Sequence, residues 1–69
     1  MSVEKSIDLT GTGATIEEAI GEAIHRASLT VKGLTSFEVE RIDGSIDAGI
    51  PTYRARIRVS FVIKERVHE

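Results

Sequence analysis

Residues 15–32, TIEEAIGEAIHRASLTVK, have the pattern of an amphipathic helix. Their apolar members recur at spacings of three and four, so they form a single stripe: Ile16, Ala19, Ile20, Ala23, Ile24, Ala27 and Val31. Thr15 and Glu18 have the spacing of a capping box, in which each side chain accepts a hydrogen bond from the other residue's backbone amide. Lys32 falls in the predicted last turn, where a cation is favoured, and Gly33 suits the left-handed position that ends a helix. Alanine dominates the stripe, so we expect a sheet to pack closely against this helix.

Three segments of alternating polar and apolar residues flank the helix and predict strands. The predicted strands are residues 3–9, 34–46 and 52–64. Residues 10–14 are expected to connect the first strand to the helix, because their two glycines match neither of the common phosphate-binding loop motifs. A bulge is expected within residues 41–46, and a turn over residues 47–51. Residues 65–69 are predicted to form a frayed tail.

Charge predicts the order of the strands. Three basic residues share the face of the third strand that points away from the helix: Arg54, Arg56 and Arg58. Acids occupy the corresponding face of the other two strands: Glu4, Asp8, Glu38 and Glu40. Opposite charges across neighbouring strands stabilise a sheet, so the third strand is expected in the centre. This predicts an α+β fold with β-α-β-β connectivity, in which a three-stranded antiparallel sheet of order 1-3-2 is wrapped on one helix. The arginine row could also hold phosphate, although a salt-bridge ladder with Glu38 and Glu40 is the favoured interpretation.

Length and composition limit the possible partners. A chain of 69 residues is expected to form one domain, residues 1–69, whose core is too small for high stability. It contains no cysteine, so oligomerisation is the expected source of further stability. Nine basic and eleven acidic residues are interspersed, and the aromatic residues fall at positions predicted to be buried, so neither nucleic acid nor a membrane is predicted as a partner. The amino-terminal residues lack the features of a signal peptide, and the expected location is cytoplasmic.

Few residues of the chain have the type and spacing of a catalytic or metal-binding site. His25 and His68 have no carboxylate or serine at a catalytic spacing, so they are interpreted as solvated and the chain is predicted not to be an enzyme. Asp43 and Asp47 flank a Gly-Ser pair and could offer oxygen ligands to a hard cation such as calcium. The ladder of oxygen ligands found in calcium-binding loops is absent, so turn-forming aspartates are the favoured interpretation and a metal site is the alternative.

Several short segments form a pattern along the chain: the strand at 3–9, Gly11-Thr12 before Thr15 and Glu18, Ala27-Ser28, Phe37-Glu38-Val39, and Thr52-Tyr53 followed by Val59 and Phe61. In the order and spacing of these segments, the chain resembles the dodecins. The resemblance extends from residue 3 to residue 63. Dodecins are small cytoplasmic proteins whose twelve subunits form a hollow shell, and they bind flavins for storage or buffering without turning over a substrate. The resemblance therefore implies a homododecamer, without enzymatic activity, that binds FMN, riboflavin, FAD or another nucleotide-like ligand.

Two positions of the flavin site implied by the resemblance are substituted. The family stacks the isoalloxazine ring on a tryptophan at the position of Ser36, and it hydrogen-bonds the ring with a glutamine at the position of Arg54. Loss of the aromatic platform removes stacking worth about 0.5–1.5 kcal/mol beyond the area burial, so weakened flavin binding is expected. A branch of the family without the tryptophan is associated with calcium, and Arg54 is similar to the residue of that branch. A calcium-associated shell and a purely structural oligomer are therefore the alternatives.

Overall fold

The computed structural model describes residues 2–64 of the chain. Its elements are β1 (Ser2–Gly13), α1 (Ile16–Thr30), β2 (Leu34–Asp47) and β3 (Ile50–Lys64). Both β1 and β2 pair antiparallel with β3, which gives the strand order β1-β3-β2. The predicted fold class, connectivity and strand order are therefore confirmed. His68 and the predicted tail at residues 65–69 lie outside the described residues.

The amino-terminal end of α1 is capped, with one difference from the prediction. Thr15 is the N-cap residue, and its hydroxyl oxygen accepts a hydrogen bond from the Glu18 amide at 3.1 Å. The carboxylate of Glu18 accepts from the amide of Ala14 at 3.1 Å, and not from that of Thr15. The reciprocal bond of the predicted capping box is therefore displaced by one residue. The backbone amides of Ala14 and Glu18 both have a side-chain acceptor.

The carboxyl-terminal end of α1 comes earlier than predicted. The helix ends at Thr30, and the amide of Val31 donates to the carbonyl of Ala27 at 3.0 Å. Lys32 therefore lies beyond the last turn, which contains no basic residue, so the predicted cationic end of the helix is wrong. Gly33 does have a positive φ, 78°, as expected from its position, and it directs the chain into β2.

The helix lies almost directly on the backbone of β1. The buried core consists of three helix alanines and the inward residues of β3: Ala19, Ala23, Ala27, Ala55, Ile57, Val59 and Phe61. Gly11 is also buried, and a Cβ atom at this position would overlap the carbonyl oxygen of Ala19 and lie 2.6 Å from the amide nitrogen of Ala23. The prediction of a loop at residues 10–14 is wrong, because these glycines let β1 continue to Gly13 beneath the helix.

Two helix side chains bond to the outer edge of β1. The amide of Thr12 donates to the Glu22 carboxylate at 2.8 Å. The guanidinium of Arg26 donates to the carbonyl oxygen of Thr10 at 3.1 Å. Both groups belong to the edge of β1 that faces away from β3, so α1 is tied to the sheet by polar contacts as well as by its alanine stripe.

A two-residue turn joins β2 to β3. Ala48 and Gly49 have φ values of 50° and 79°, both in the left-handed region that a type I′ hairpin requires. The predicted turn at residues 47–51 is thus shorter than expected, and Gly44 and Ser45 are extended residues within β2. The register of β2 shifts between Leu34 and Ser36 and again between Val39 and Arg41. The expected bulge therefore exists, but at Glu40 and not within residues 41–46.

The helix leaves the adjacent face of β2 uncovered. Four large apolar side chains on that face are exposed: Phe37 (49%), Val39 (37%), Ile42 (44%) and Ile46 (78%). We refer to these four residues as the β2 stripe. The folded chain measures 63 × 19 × 12 Å and has a radius of gyration of 15.2 Å, whereas a compact chain of this length would have about 11 Å. Its accessible surface of 5288 Å² also exceeds the roughly 4,200 Å² expected for a compact monomer of its mass. The folded chain is therefore thin, and its core is small.

Candidate functional site

The face of the sheet away from α1, here called the outer face, carries an ionic network. Arg58 donates to both carboxylate oxygens of Asp8, at 3.0 and 3.4 Å. Arg54 donates to both carboxylate oxygens of Asp43, at 2.8 and 3.0 Å. These hydrogen bonds lower the pKa of Asp8 and the pKa of Asp43, because each stabilises the charged carboxylate. The arginines of β3 therefore form a cross-strand ladder with acids, as favoured from the sequence.

The partners in this ladder differ in part from those predicted. The bulge brings the Glu40 carboxylate between two arginines, 3.1 Å from Arg58 and 3.6 Å from Arg56. Glu38 lies opposite Arg58 in the register, yet it makes no ion pair within the described part of the chain. The predicted contact with Glu40 is present, and that with Glu38 is not.

Asp43 and Arg41 are outer-face residues that the sequence interpretation missed. Asp43 accepts from Arg54 and also lies 3.1 Å from the guanidinium of Arg41. Simple alternation from Phe37 onward would have turned both side chains toward the helix. The extra residue in the bulge shifts the alternation by one position, which turns both side chains to the outer face. The charged residues Glu40, Arg41 and Asp43 were the feature of the sequence that could have indicated this shift.

An open concavity of about 420 Å³ lies on the outer face beside these residues. Its lining consists of one hydroxyl residue, three arginines and one carboxylate: Thr10, Arg41, Arg54, Arg56 and Asp43. The arginine side chains are more than half exposed, so their charge is available to a solute. Arg54, one of the two predicted ligand residues, is therefore part of a polar, positively charged depression.

Ser36, the other predicted ligand residue, lies elsewhere on the sheet. Ser36 pairs with Ser60, whereas Arg54 pairs with Asp43. Ser60 and Arg54 are six positions apart along β3, roughly 20 Å of strand, so the fold of a single chain does not bring the two predicted residues together. Beside Ser36 is a mostly apolar pocket of about 270 Å³ lined by Ile24, Leu34, Thr35, Ser36, Phe37 and Val59.

The residues of the outer face do not offer an aromatic platform for a flavin. Register places the aromatic side chains of residues 2–64 on the helix side of the sheet: Phe37, Tyr53 and Phe61. At the two substituted positions, Ser36 presents only a hydroxyl, and the guanidinium of Arg54 is engaged by Asp43. The groups present therefore fit an anion better than an isoalloxazine ring.

The two aspartates considered for a metal are not close together. Because Gly44 and Ser45 are extended, Asp43 and Asp47 are four strand positions apart, roughly 13 Å of backbone. The carboxylate of Asp43 is already engaged by Arg54 and Arg41. Across residues 2–64 no cluster of three or more histidine, cysteine, aspartate or glutamate side chains has a metal-binding arrangement. His25 is an exposed residue of α1.

Of the described residues 2–64, none belongs to a helix with the length and apolar character needed to span a bilayer.

Comparison with known proteins assigns the chain to a family. The sequence model of the dodecin family matches residues 3–64. A dodecin of Thermus thermophilus is 38% identical over 65 residues, which cover 91% of this chain and 94% of that protein. A crystal structure of a Thermus thermophilus dodecin variant superposes with a TM-score of 0.87 at 37% identity, covering 96% of this chain and all of that one.

The chain is also similar to a protein described as calcium-chelating. The crystal structure of a calcium-chelating immunodominant antigen of Mycobacterium tuberculosis, described as a calcium dodecin with a novel calcium-binding site, has a TM-score of 0.77. It is 36% identical to this chain and covers 97% of it, and the chain covers 96% of that protein. The match of the family model over nearly all of residues 2–64, together with these relatives, shows that the chain belongs to the dodecin family.

Proposed function

We propose that this chain is the subunit of a non-enzymatic homododecameric shell that binds, stores or buffers a small flavin-like or nucleotide-like ligand, with weakened affinity for flavin. Membership of the dodecin family supports the general role. The observation that carries the proposal is the thin, elongated subunit with its exposed β2 stripe. An exposed row of large apolar side chains is costly in water, and contact with further copies of the chain would bury it.

Native mass spectrometry at low micromolar concentration tests the assembly. We expect a species of twelve subunits, and monomers alone would refute the proposal. Val39→Glu should prevent assembly, because it places a charge within the β2 stripe. Ser45→Glu is the matched control, since it adds the same charge to the same strand on the outer face, opposite Thr52, and should leave the assembly intact.

Weakened flavin affinity follows from the residues at the two family positions. Ser36 offers no stacking surface, and Arg54 is held by Asp43, so neither contact of the family site is available. A ligand that contacts both positions would have to be shared between subunits, because one subunit separates them by roughly 20 Å. This separation is consistent with a site that only the assembled shell completes.

A double substitution tests this explanation. Ser36→Trp restores the aromatic platform, and Arg54→Gln restores an amide that can read the edge of the ring. We expect the pair to raise flavin affinity more than either change alone, as measured by flavin fluorescence quenching with the dodecamer verified in parallel. Submicromolar quenching by the unmodified protein, or no gain in the intact double variant, would show that the site lies elsewhere.

A calcium-associated shell is the second candidate, and the relationship to the calcium-chelating antigen favours it. If this candidate is correct, calcium should raise the melting temperature where magnesium does not, and Asp47→Asn should reduce the effect. A protein that responds to neither calcium nor flavin would be explained by the third candidate, a purely structural oligomer.

A further inference from the structure

The tip of the β2–β3 hairpin is apolar and extends beyond the rest of the sheet. The register pairs Tyr53 with Gly13, the last residue of β1, so the hairpin beyond this pair has only two strands. Ile46 and Ile50 lie on either side of the turn and are 78% and 68% exposed. Apolar side chains held in water are unfavourable, and burial against another surface removes that cost. The tip therefore has the character of one half of an apolar contact.

An apolar pocket lies toward the opposite end of β2. It has a volume of about 270 Å³, and its apolar side chains come from α1, β2 and β3: Ile24, Leu34, Phe37 and Val59. A cavity of about 150 Å³ holds a benzene molecule, so this pocket can accommodate an isoleucine side chain. Ile46 lies opposite Pro51, and Phe37 lies opposite Val59. These partners are eight positions apart along β3, roughly 26 Å of strand, so the tip of a chain cannot fill the pocket of the same chain.

A charged residue lies beside each of these surfaces, and the two charges are opposite. Asp47 follows Ile46 at the tip, and Lys32 lies two residues before Leu34 of the pocket. Both charged residues are exposed, and neither forms an ion pair within the part of the chain that the structure describes.

These charges distinguish between the possible contacts of two copies. Contact between two tips would bring two Asp47 carboxylates together, and contact between two pockets would bring two Lys32 ammonium groups together. Contact between a tip and a pocket instead brings opposite charges together. Charge complementarity therefore favours the contact in which the tip of one copy meets the pocket of another.

We propose that the hairpin tip of one copy of the chain inserts Ile46 and Ile50 into the pocket at Leu34 of a second copy, where Asp47 pairs with Lys32. Each copy then offers its tip to one neighbour and receives the tip of another, so the contact is heterologous. Repeated heterologous contacts form a ring when the rotation between copies closes, as a closed shell requires. This inference rests on the proposed function in taking the second copy from the shell, and it names the surfaces that meet.

Disulfide cross-linking tests the contact directly, because the chain contains no cysteine of its own. Ile50→Cys and Leu34→Cys proteins that are refolded together should form mixed disulfide-linked pairs on mild oxidation, since a disulfide needs Cα atoms about 4.4–6.8 Å apart. Neither variant alone should form linked pairs. Linked pairs in the Ile50→Cys protein alone would reveal contact between two tips and overturn the proposal.

Charge reversal gives an independent measurement. Asp47→Lys should raise the concentration at which the assembly dissociates by about tenfold or more, because it brings two cations together at the contact. Addition of Lys32→Asp should restore most of that loss. Glu38→Lys is the matched control, since it reverses another acid of β2 that has no ion pair within residues 2–64, and Lys32→Asp should not compensate for it. Equal compensation in both cases would indicate an effect of net charge and overturn the proposal.

Native mass spectrometry of the same proteins separates this inference from the proposed function. Monomers alone for the unmodified protein would refute the shell and the tip contact together. A species of twelve subunits with neither the mixed cross-link nor the charge compensation would overturn the tip contact and leave the shell standing. The mixed cross-link together with specific compensation by Lys32→Asp would support the contact.

Discussion

Gly11→Ala should be among the most damaging small substitutions in the chain. The added Cβ would overlap the carbonyl oxygen of Ala19 and lie 2.6 Å from the amide nitrogen of Ala23, and both of these are backbone atoms that no rotamer change can move. Helix α1 would have to rise by roughly 1 Å to restore contact distances, which separates its alanine stripe from β3. The expected cost lies at the upper end for overpacking, about 3 kcal/mol. For a domain of this size, that corresponds to a fall of about 12–24 °C in the melting temperature.

Gly21→Ala is the matched control for this experiment. Gly21 lies within α1, and a Cβ atom there would meet nothing within 4 Å. The same change should therefore stabilise the protein by about 0.8–1 kcal/mol through helix propensity, and raise the melting temperature by several degrees. Circular dichroism melts of both variants at one fixed protein concentration give the comparison. A Gly11→Ala protein that melts within about 2 °C of the unmodified protein would refute the close packing of α1 on β1.

Three further predictions concern the cap and the ionic network. Thr15→Ala should lower the free energy of unfolding by about 1 kcal/mol, measured by urea denaturation, because the N-cap hydrogen bond is lost. Asp43→Asn should destabilise the protein at neutral pH, and the difference should shrink as the pH falls below about 4, where the unfolded carboxylate takes up protons. The sign follows from Arg54, which lowers the pKa of Asp43 in the folded state. The prediction would be contradicted if the difference in urea midpoint between the variant and the unmodified protein were the same at neutral and at acidic pH. A double-mutant cycle on Arg56 and Glu40 should show weak coupling, below about 1 kcal/mol, since the Arg56 side chain is more than half exposed and the charged groups are 3.6 Å apart.

The fold was predictable because its decisive patterns are local. Alternation in β3 places Ala55, Ile57 and Val59 toward the helix, and the structure shows all three buried. The spacing of three and four in α1 likewise identifies the face that packs. Charge then fixed the position of β3, since a central basic strand between two acidic ones avoids rows of like charge.

The errors arose where distant parts of the chain decide local structure. Gly11 resembles a loop residue until the helix is known to lie on it, and only then does the lack of a side chain explain the continuous strand. The bulge at Glu40 depends on pairing with β3, so the alternation of β2 alone could not predict that Arg41 and Asp43 turn outward. The Arg41–Arg56 juxtaposition, and the concavity it borders, are consequences of that single extra residue.

The side-chain hydrogen bonds along the edge of β1 have a consequence for the tendency of the protein to aggregate. A sheet edge with a long row of unused amide and carbonyl groups is a template for endless strand addition, which leads to fibres. Here Glu22 and Arg26 occupy two of those groups, at Thr12 and Thr10, and the opposite edge on β2 is interrupted by two register shifts. The edge of β1 is therefore blocked at these two residues and the edge of β2 is irregular at two places, so strand addition is discouraged at those positions. This protection concerns the backbone alone, so it leaves exposed side-chain surfaces such as the β2 stripe open to contact with other molecules.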